Sequence, residues 1–288
     1  MRSALAVFMI WAGLSAALFF GVLPSLLDAA AGIRQETAIG TYAEETGQMT
    51  ADEIALMREE AVNYNHTVMQ EQQLASFSYQ GNDAGSEEYQ SLLRCEEEGM
   101  MAVIEIPSIG QRIPVFHGTD PDVLEYACGH VYGTSLPVGG SGTHSVIAGH
   151  TGLPGAELFS DLKNMKMGDR FYLRVLGETH AYETDQIKVV LPEEESAYLQ
   201  TVPGKDYVTL YTCTPYGIND HRLLVRGSRI LPDPEEEDVF GRITLDQFSQ
   251  NATVRLALCA ACPVLVLITG CIRARKQRRL EVVSRRFH

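Results

Sequence analysis

Hydrophobic positions follow three different patterns along the chain. Ala4 to Leu27 is 24 residues without a charge, and Leu256 to Ile272 is 17 more. An α-helix needs roughly 20 apolar residues to cross a bilayer core, so both stretches are expected to span a membrane. From Thr50 the pattern becomes helical: Thr50-Ala51-Asp52-Glu53 is a capping box, and Ile54, Met57, Ala61, Tyr64 and Val68 recur at helical spacing to about Leu74. Ser76 to Ser86 is rich in Ser, Gly and Asn and reads as a loop, followed by a short helix from Glu87 to Arg94.

From Met100 the pattern changes to short β-type runs bounded by Gly and Pro. They are Met101 to Ile106, Arg112 to Phe116, Ser145 to Ala148, Arg170 to Leu176, His180 to Val190, Tyr207 to Thr212 and Arg222 to Ile230. Asp120 to Cys128 reads as a helical turn, with an Asp cap, Pro121 at its first position and Gly129 after its end. Seven or eight short strands with little helix between them predict a mainly β fold, a closed or nearly closed barrel.

Charge adds orientation. The chain has 288 residues, 37 acidic and 23 basic, for a net charge of −14, which argues against a nucleic-acid partner. Asp28 to Thr253 holds 14 basic and 36 acidic residues, a net of −22, whereas the spans and tails are basic, with seven Lys and Arg between Arg273 and Arg286. The positive-inside rule then places both termini in the cytoplasm and the middle outside a cell membrane. Ala29-Ala30-Ala31 leaves a cleaved signal peptide as the alternative for the first span. The expected organisation is an anchor or signal over 1–27, a helical appendage and lid over 28–99, a barrel over 100–232, an acidic linker over 233–253, a second span over 254–272 and a basic tail over 273–288.

Of six cysteines, Cys259, Cys262 and Cys271 fall in the second span and read as apolar filler. Cys95, Cys128 and Cys213 are an odd set, so at least one thiol outside the spans is free. Cys213 ends the strand Tyr207 to Thr212, and alternation puts Thr209, Tyr211 and Cys213 on one face, with Val208, Leu210 and Thr212 on the other. A nucleophilic cysteine reacts as the thiolate and needs a base or cation beside it. His150 follows an apolar strand in a Gly-flanked turn, and Arg222 opens the strand after the Cys213 turn. Arginine stays protonated, so its available role is to hold a carbonyl or stabilise an oxyanion.

Thr209-Leu210-Tyr211-Thr212-Cys213 resembles the TLxTC signature of sortases, the cysteine transpeptidases of Gram-positive cell surfaces. The run from Thr209 to Gly227, with Thr-Pro-Tyr-Gly after the cysteine, is similar to the pilus-assembling class C branch, as are Gly133 to Gly140 and Thr143 to Val146 leading to His150. The resemblance covers about Met101 to Ile230. It implies a closed eight-stranded barrel with Cys213 as nucleophile, His150 as proton donor and acceptor, and Arg222 as the substrate-orienting cation. Thr212 and Leu210 are expected to contact substrate. The implied reaction cleaves an LPxTG-like sorting signal of a pilin or surface protein after Thr and passes the acyl group to a pilin lysine. No cofactor is implied. The same residues also suit a cell-wall anchoring enzyme or hydrolase, and a non-catalytic membrane-tethered binding module is the third class.

The class C pattern carries a lid with Asp-Pro-Phe or Asp-Pro-Trp over the active site, where this chain reads Asn82-Asp83-Ala84-Gly85. Asp83 is the candidate lid partner of Arg222, and Phe77 or Tyr79 the candidate replacement for the aromatic. His117, His130 and His144 with Cys128 lack metal-ligand spacing; His144 is expected to be a structural histidine close to His150.

Overall fold

The computed structural model describes residues 2–74, 85–95, 99–152 and 157–231. It divides into two compact units, one of Met1–Ala29 with Leu245–His288 and one of Ala30–Thr244. Helix α1 runs over Arg2–Gln48, well beyond the apolar stretch at its start. Among the described residues no helix is long and apolar enough to cross a membrane. The second apolar stretch lies outside them, as do the acidic linker and the basic tail.

Helix α2 spans Ala51–Leu74, and its capping box forms as expected. The Thr50 amide donates to the Glu53 carboxylate at 2.8 Å, and the Glu53 amide donates to the Thr50 hydroxyl at 3.3 Å. Helix α3 covers Glu87–Ser91, with Ser86 as its N-cap. The strands are β1 (Met100–Ile106), β2 (Gln111–His117), β3 (Cys128–His130), β4 (Thr143–Ala148), β5 (Arg170–Val175), β6 (Glu178–Val190), β7 (Asp206–Thr214) and β8 (His221–Ile230), with α4 (Pro121–Leu124) between β2 and β3. They close into a barrel in the order β1-β2-β3-β4-β7-β8-β6-β5.

Every strand read from the pattern is present, and one was missed. Cys128 and Gly129, read as the end and cap of a helical turn, instead form β3, which lies parallel to β2 with Phe116 opposite Gly129. The backbones are so close there that a Cβ on Gly129 would sit 2.0 Å from the Gly118 carbonyl oxygen. Three residues are too few for alternation to show, and the glycine is needed for that approach rather than for a helix cap.

Alternation along each strand separates two environments. Ile104, Val115, Ile147, Phe171, Val208 and Leu210 fill the barrel. On the outer face Val146, Ala148, Val190, Tyr211 and Leu224 form a second apolar cluster with Leu199. A 3₁₀ helix, Pro192–Tyr198, connects β6 to β7, and Tyr198 packs against this cluster.

The N-terminal helices are held to the barrel by buried polar contacts. Tyr42 donates to the Met101 carbonyl and accepts from the Leu176 amide, both at 2.9 Å. Asn65 exchanges two hydrogen bonds with the backbone of Leu136, at 3.1 and 2.6 Å. The Tyr89 hydroxyl meets His130 Nδ1 at 2.8 Å and accepts from the Gly118 amide at 3.1 Å.

Three buried histidines are held neutral. Burial lowers His130 to about 3 and His144 to about 4, and burial with the nearby Arg229 and Arg58 charges lowers His180 to about 3. Each value lies below the ~6.5 of an unfolded histidine. Between the two, the unfolded chain binds the extra proton, so stability falls as pH falls through that window, by up to about 1.4 kcal/mol per pH unit per histidine. Urea unfolding is therefore expected to show a midpoint that declines steadily from pH 7 to pH 4, and His130→Gln is expected to flatten that decline.

Candidate active site

The site is built on the outer face where β7 lies between two partners. β7 pairs antiparallel with β8, and Cys213 lies directly opposite Arg222. Side chains so paired have Cβ atoms about 5 Å apart. On its other side β7 is parallel to β4, with Ala148 opposite Tyr211. The ladder continues past the end of β4: the Gly149 amide donates to the Tyr211 carbonyl at 3.0 Å, and the Thr212 hydroxyl donates to the Gly149 carbonyl at 2.7 Å. Val146 and Ala148 face outward, so alternation carries His150 to the same outer face, at the level of Cys213.

Local packing explains the Gly-flanked turn. A Cβ on Gly149 would come within 2.8 Å of the Phe159 ring and 3.0 Å of Cys128 Sγ, so only glycine lets the chain pass there. The His150 carbonyl accepts from the Phe159 amide at 3.2 Å, and the Thr151 hydroxyl meets the Thr212 hydroxyl at 2.7 Å. His150 is thus pinned by a backbone bond of its own and a hydroxyl bond of its neighbour, which leave its ring unbonded to any described residue. Burial lowers its pKa below the usual imidazole value, so the ring is neutral at pH 7 and competent to accept a proton.

Arg222 is held in a different way. Its Nε donates to the Tyr211 hydroxyl at 2.7 Å and lies 3.7 Å from Glu195 Oε2. The Tyr211 hydroxyl in turn donates to Glu195 Oε2 at 2.8 Å. Burial of the guanidinium opposes its charge, but Tyr211, Cys213 and Glu195 outweigh that and raise its pKa further. Burial raises the Glu195 carboxyl, against the lowering contacts from Tyr211 and Arg222.

Among the described residues, Cys128 and Cys213 are free thiols. Cys128 is sealed in the core, and burial pushes its thiol well up, which makes it inert. Cys213 is half-buried at a strand end, open to a reactant.

Other expected residues fall elsewhere. Leu210 is fully buried inside the barrel, so its role is packing and not substrate contact. Thr212 is also buried, with its hydroxyl committed to Gly149 and Thr151, so it acts on the turn that carries His150. His144 sits at the opposite end of β4 from His150, about 20 Å away for six extended residues. It bonds the Gln200 carbonyl at 2.9 Å and the Thr209 hydroxyl at 2.7 Å. The ring nitrogens of His117 face the carbonyls of Gly99 and Leu92, at 2.8 and 2.6 Å. Arg226 shares the outer face but is committed to Asp185 at 2.9 Å and stacks on Tyr207. Asp83, Phe77 and Tyr79 lie outside the described residues. Glu195 was not singled out from sequence: in Glu193-Glu194-Glu195 it is indistinguishable from a solvated charge run.

Thr212→Val keeps the side-chain shape and removes the hydroxyl that satisfies the Gly149 carbonyl. It is expected to cost about 1–2 kcal/mol in chemical unfolding and to slow alkylation of Cys213 by a bulky reagent as the His150 turn shifts.

A family model for the sortase domain matches residues 104–230. The fold is similar to the crystal structure of sortase C1 from Streptococcus agalactiae, with 40% identity, a TM-score of 0.62, and coverage of 68% of this chain and all of that one. It is similar also to a lid mutant of sortase A from Corynebacterium diphtheriae, at 42% identity and a TM-score of 0.59, over 66% of this chain and all of that one. Among curated proteins, sortase A of Streptococcus agalactiae is 32% identical over 114 residues, 38% of this chain and 45% of that protein. The chain spans between 45% and 63% of the length of the curated relatives it matches. Aligned over the whole of a solved sortase C1 at 40% identity, and matched by the family model across the barrel, this chain belongs to the sortase family.

Proposed function

We propose that the protein is a membrane-anchored cysteine transpeptidase of the pilus-assembling type. The observation that carries this reading is the placement of Cys213 opposite Arg222, with His150 carried to the same outer face by the β4–β7 ladder. A similar solved structure, 40% identical, is titled sortase C1 of a pilus island. The barrel faces the outside of the cell between an N-terminal anchor and a C-terminal span, and both termini lie in the cytoplasm.

The substrate is the LPxTG-like sorting signal of a pilin or surface protein. His150 takes the proton of the Cys213 thiol, the thiolate attacks the Thr carbonyl, and the C–N bond to the next residue breaks as the imidazolium passes that proton to the leaving amine. A thioester remains on Cys213. A neutral pilin lysine amine then attacks it, His150 takes the amine proton, and an isopeptide bond forms as the C–S bond breaks and the Cys213 sulfur takes that proton back as a thiol. Arg222 cannot exchange protons at neutral pH and acts by holding the carbonyl and the oxyanion.

The test incubates the full-length protein in detergent with an LPxTG-type peptide and a lysine-bearing pilin domain, followed by intact mass. An acyl adduct on Cys213 that passes to lysine is expected. Cys213→Ala is expected to lose both species, and Arg222→Ala to lower the acylation rate at least a hundredfold. An adduct that passes only to water or to a wall-precursor amine replaces the pilin reading with an anchoring or hydrolytic sortase. A Cys213 that ignores mild alkylating agents favours a binding module.

A further inference from the structure

The guanidinium of Arg222 has five N–H bonds, and most of them are already committed. Nε donates to Tyr211 Oη at 2.7 Å. Nη1 donates to the carbonyls of Asn219 and His221, at 3.1 and 3.2 Å. Among the described residues nothing bonds Nη2. The chain continues outward from Nε: Tyr211 Oη donates its own proton to Glu195 Oε2 at 2.8 Å, and Glu195 is 5% exposed. Glu195 belongs to the 3₁₀ helix outside the barrel, Tyr211 to β7 and Arg222 to β8, so three separate elements meet at this one relay.

A guanidinium is planar. Two edges held by fixed partners leave no freedom to turn that plane about the Cδ–Nε bond, and the remaining Nη2 edge then has a set direction. Without Tyr211 Oη the side chain keeps its charge but loses the contact that orients the plane. The Tyr211 hydroxyl is itself oriented by its need for an acceptor, which the buried Glu195 carboxylate supplies.

We propose that Glu195 and Tyr211 are positioning residues for Arg222. Together they lock its guanidinium so that the Nη2 edge alone meets the substrate carbonyl and the oxyanion formed beside Cys213. This rests on the reading of Cys213 as the acylated nucleophile. It adds to that reading that a tyrosine two residues before the cysteine and a glutamate in the β6–β7 connection set the rate of acylation without touching substrate.

The test uses the full-length protein in detergent with two readouts. In the proton–nitrogen spectrum of arginine-labelled protein, the Arg222 Nε–H is expected to be protected from exchange, and Tyr211→Phe is expected to remove that protection. In single-turnover acylation by an LPxTG-type peptide, Tyr211→Phe is expected to lower the rate tenfold to a hundredfold while the peptide concentration at half-saturation changes less than about threefold. Glu195→Ala should behave in the same way, and Glu195→Gln, which keeps an acceptor for the tyrosine, should recover to within about threefold of wild type. In an Arg222→Lys background, which keeps the charge but lacks the planar fork, Tyr211→Phe is expected to change the rate by less than twofold. An equal loss in both backgrounds, or an Nε–H that exchanges as fast in wild type as in Tyr211→Phe, overturns the proposal. A wild-type protein that forms no adduct on Cys213 defeats the transpeptidase reading itself and takes the positioning role with it, even if the Nε–H is protected.

Discussion

β7 hydrogen-bonds on both sides at once, parallel to β4 and antiparallel to β8, and this double register is the constraint on which the rest of the site depends. It sets Cys213 opposite Arg222 and brings the end of β4, and with it His150, to the same level. The alternation that turns Tyr211 and Cys213 outward also buries Val208 and Leu210 in the barrel. A slip of one residue would put the cysteine in the core and a leucine on the surface. The hydrophobic core and the site are therefore specified by one register, and the energy that fills the barrel also holds the reactive groups in place.

Charge is divided within the site by partial burial. His150 loses solvent on entering its turn, which favours the neutral ring. Arg222 loses solvent as well, but its electronegative neighbours outweigh the loss and keep it cationic. At neutral pH the site then offers a proton acceptor on one side of the cysteine and a permanent cation on the other. Neither group can replace the other, because the imidazole exchanges protons and the guanidinium does not.

The outer apolar cluster is what makes this possible on an exposed sheet face. Val146, Ala148, Tyr211 and Leu224 pack with residues at the end of the β6–β7 connection, and the same connection delivers Glu195 to the tyrosine hydroxyl. Helices α1 and α2 are tied to the barrel through Tyr42 and Asn65, which bond the backbone of Met101 and Leu136. Such contacts fix where an element sits without requiring a partner of particular sequence.

Much of this was legible in the chain. Short β-type runs bounded by Gly and Pro named seven of the eight strands within a few residues, because each run is long and apolar enough to stand out between its turns. The capping box at Thr50 and Glu53 located the start of α2, because both hydrogen bonds are local. The motifs made Cys213, His150 and Arg222 the candidate set, and the strand pairing sets Cys213 opposite Arg222. β3 was not, since three residues carry no period and Gly129 is explained by a contact with Gly118, distant in sequence. The distance between His144 and His150 was misjudged because neighbours in sequence lie far apart on an extended strand. The chain by itself determined which residues are apolar, where local turns and caps form and which side chains have the chemistry. Only the tertiary structure decided that Leu210 and Thr212 are internal, that Cys128 is sealed and Cys213 open, and that one glutamate of an acidic run reaches Arg222 through Tyr211. Those outcomes depend on barrel closure and strand register, which bring together residues that no local pattern relates.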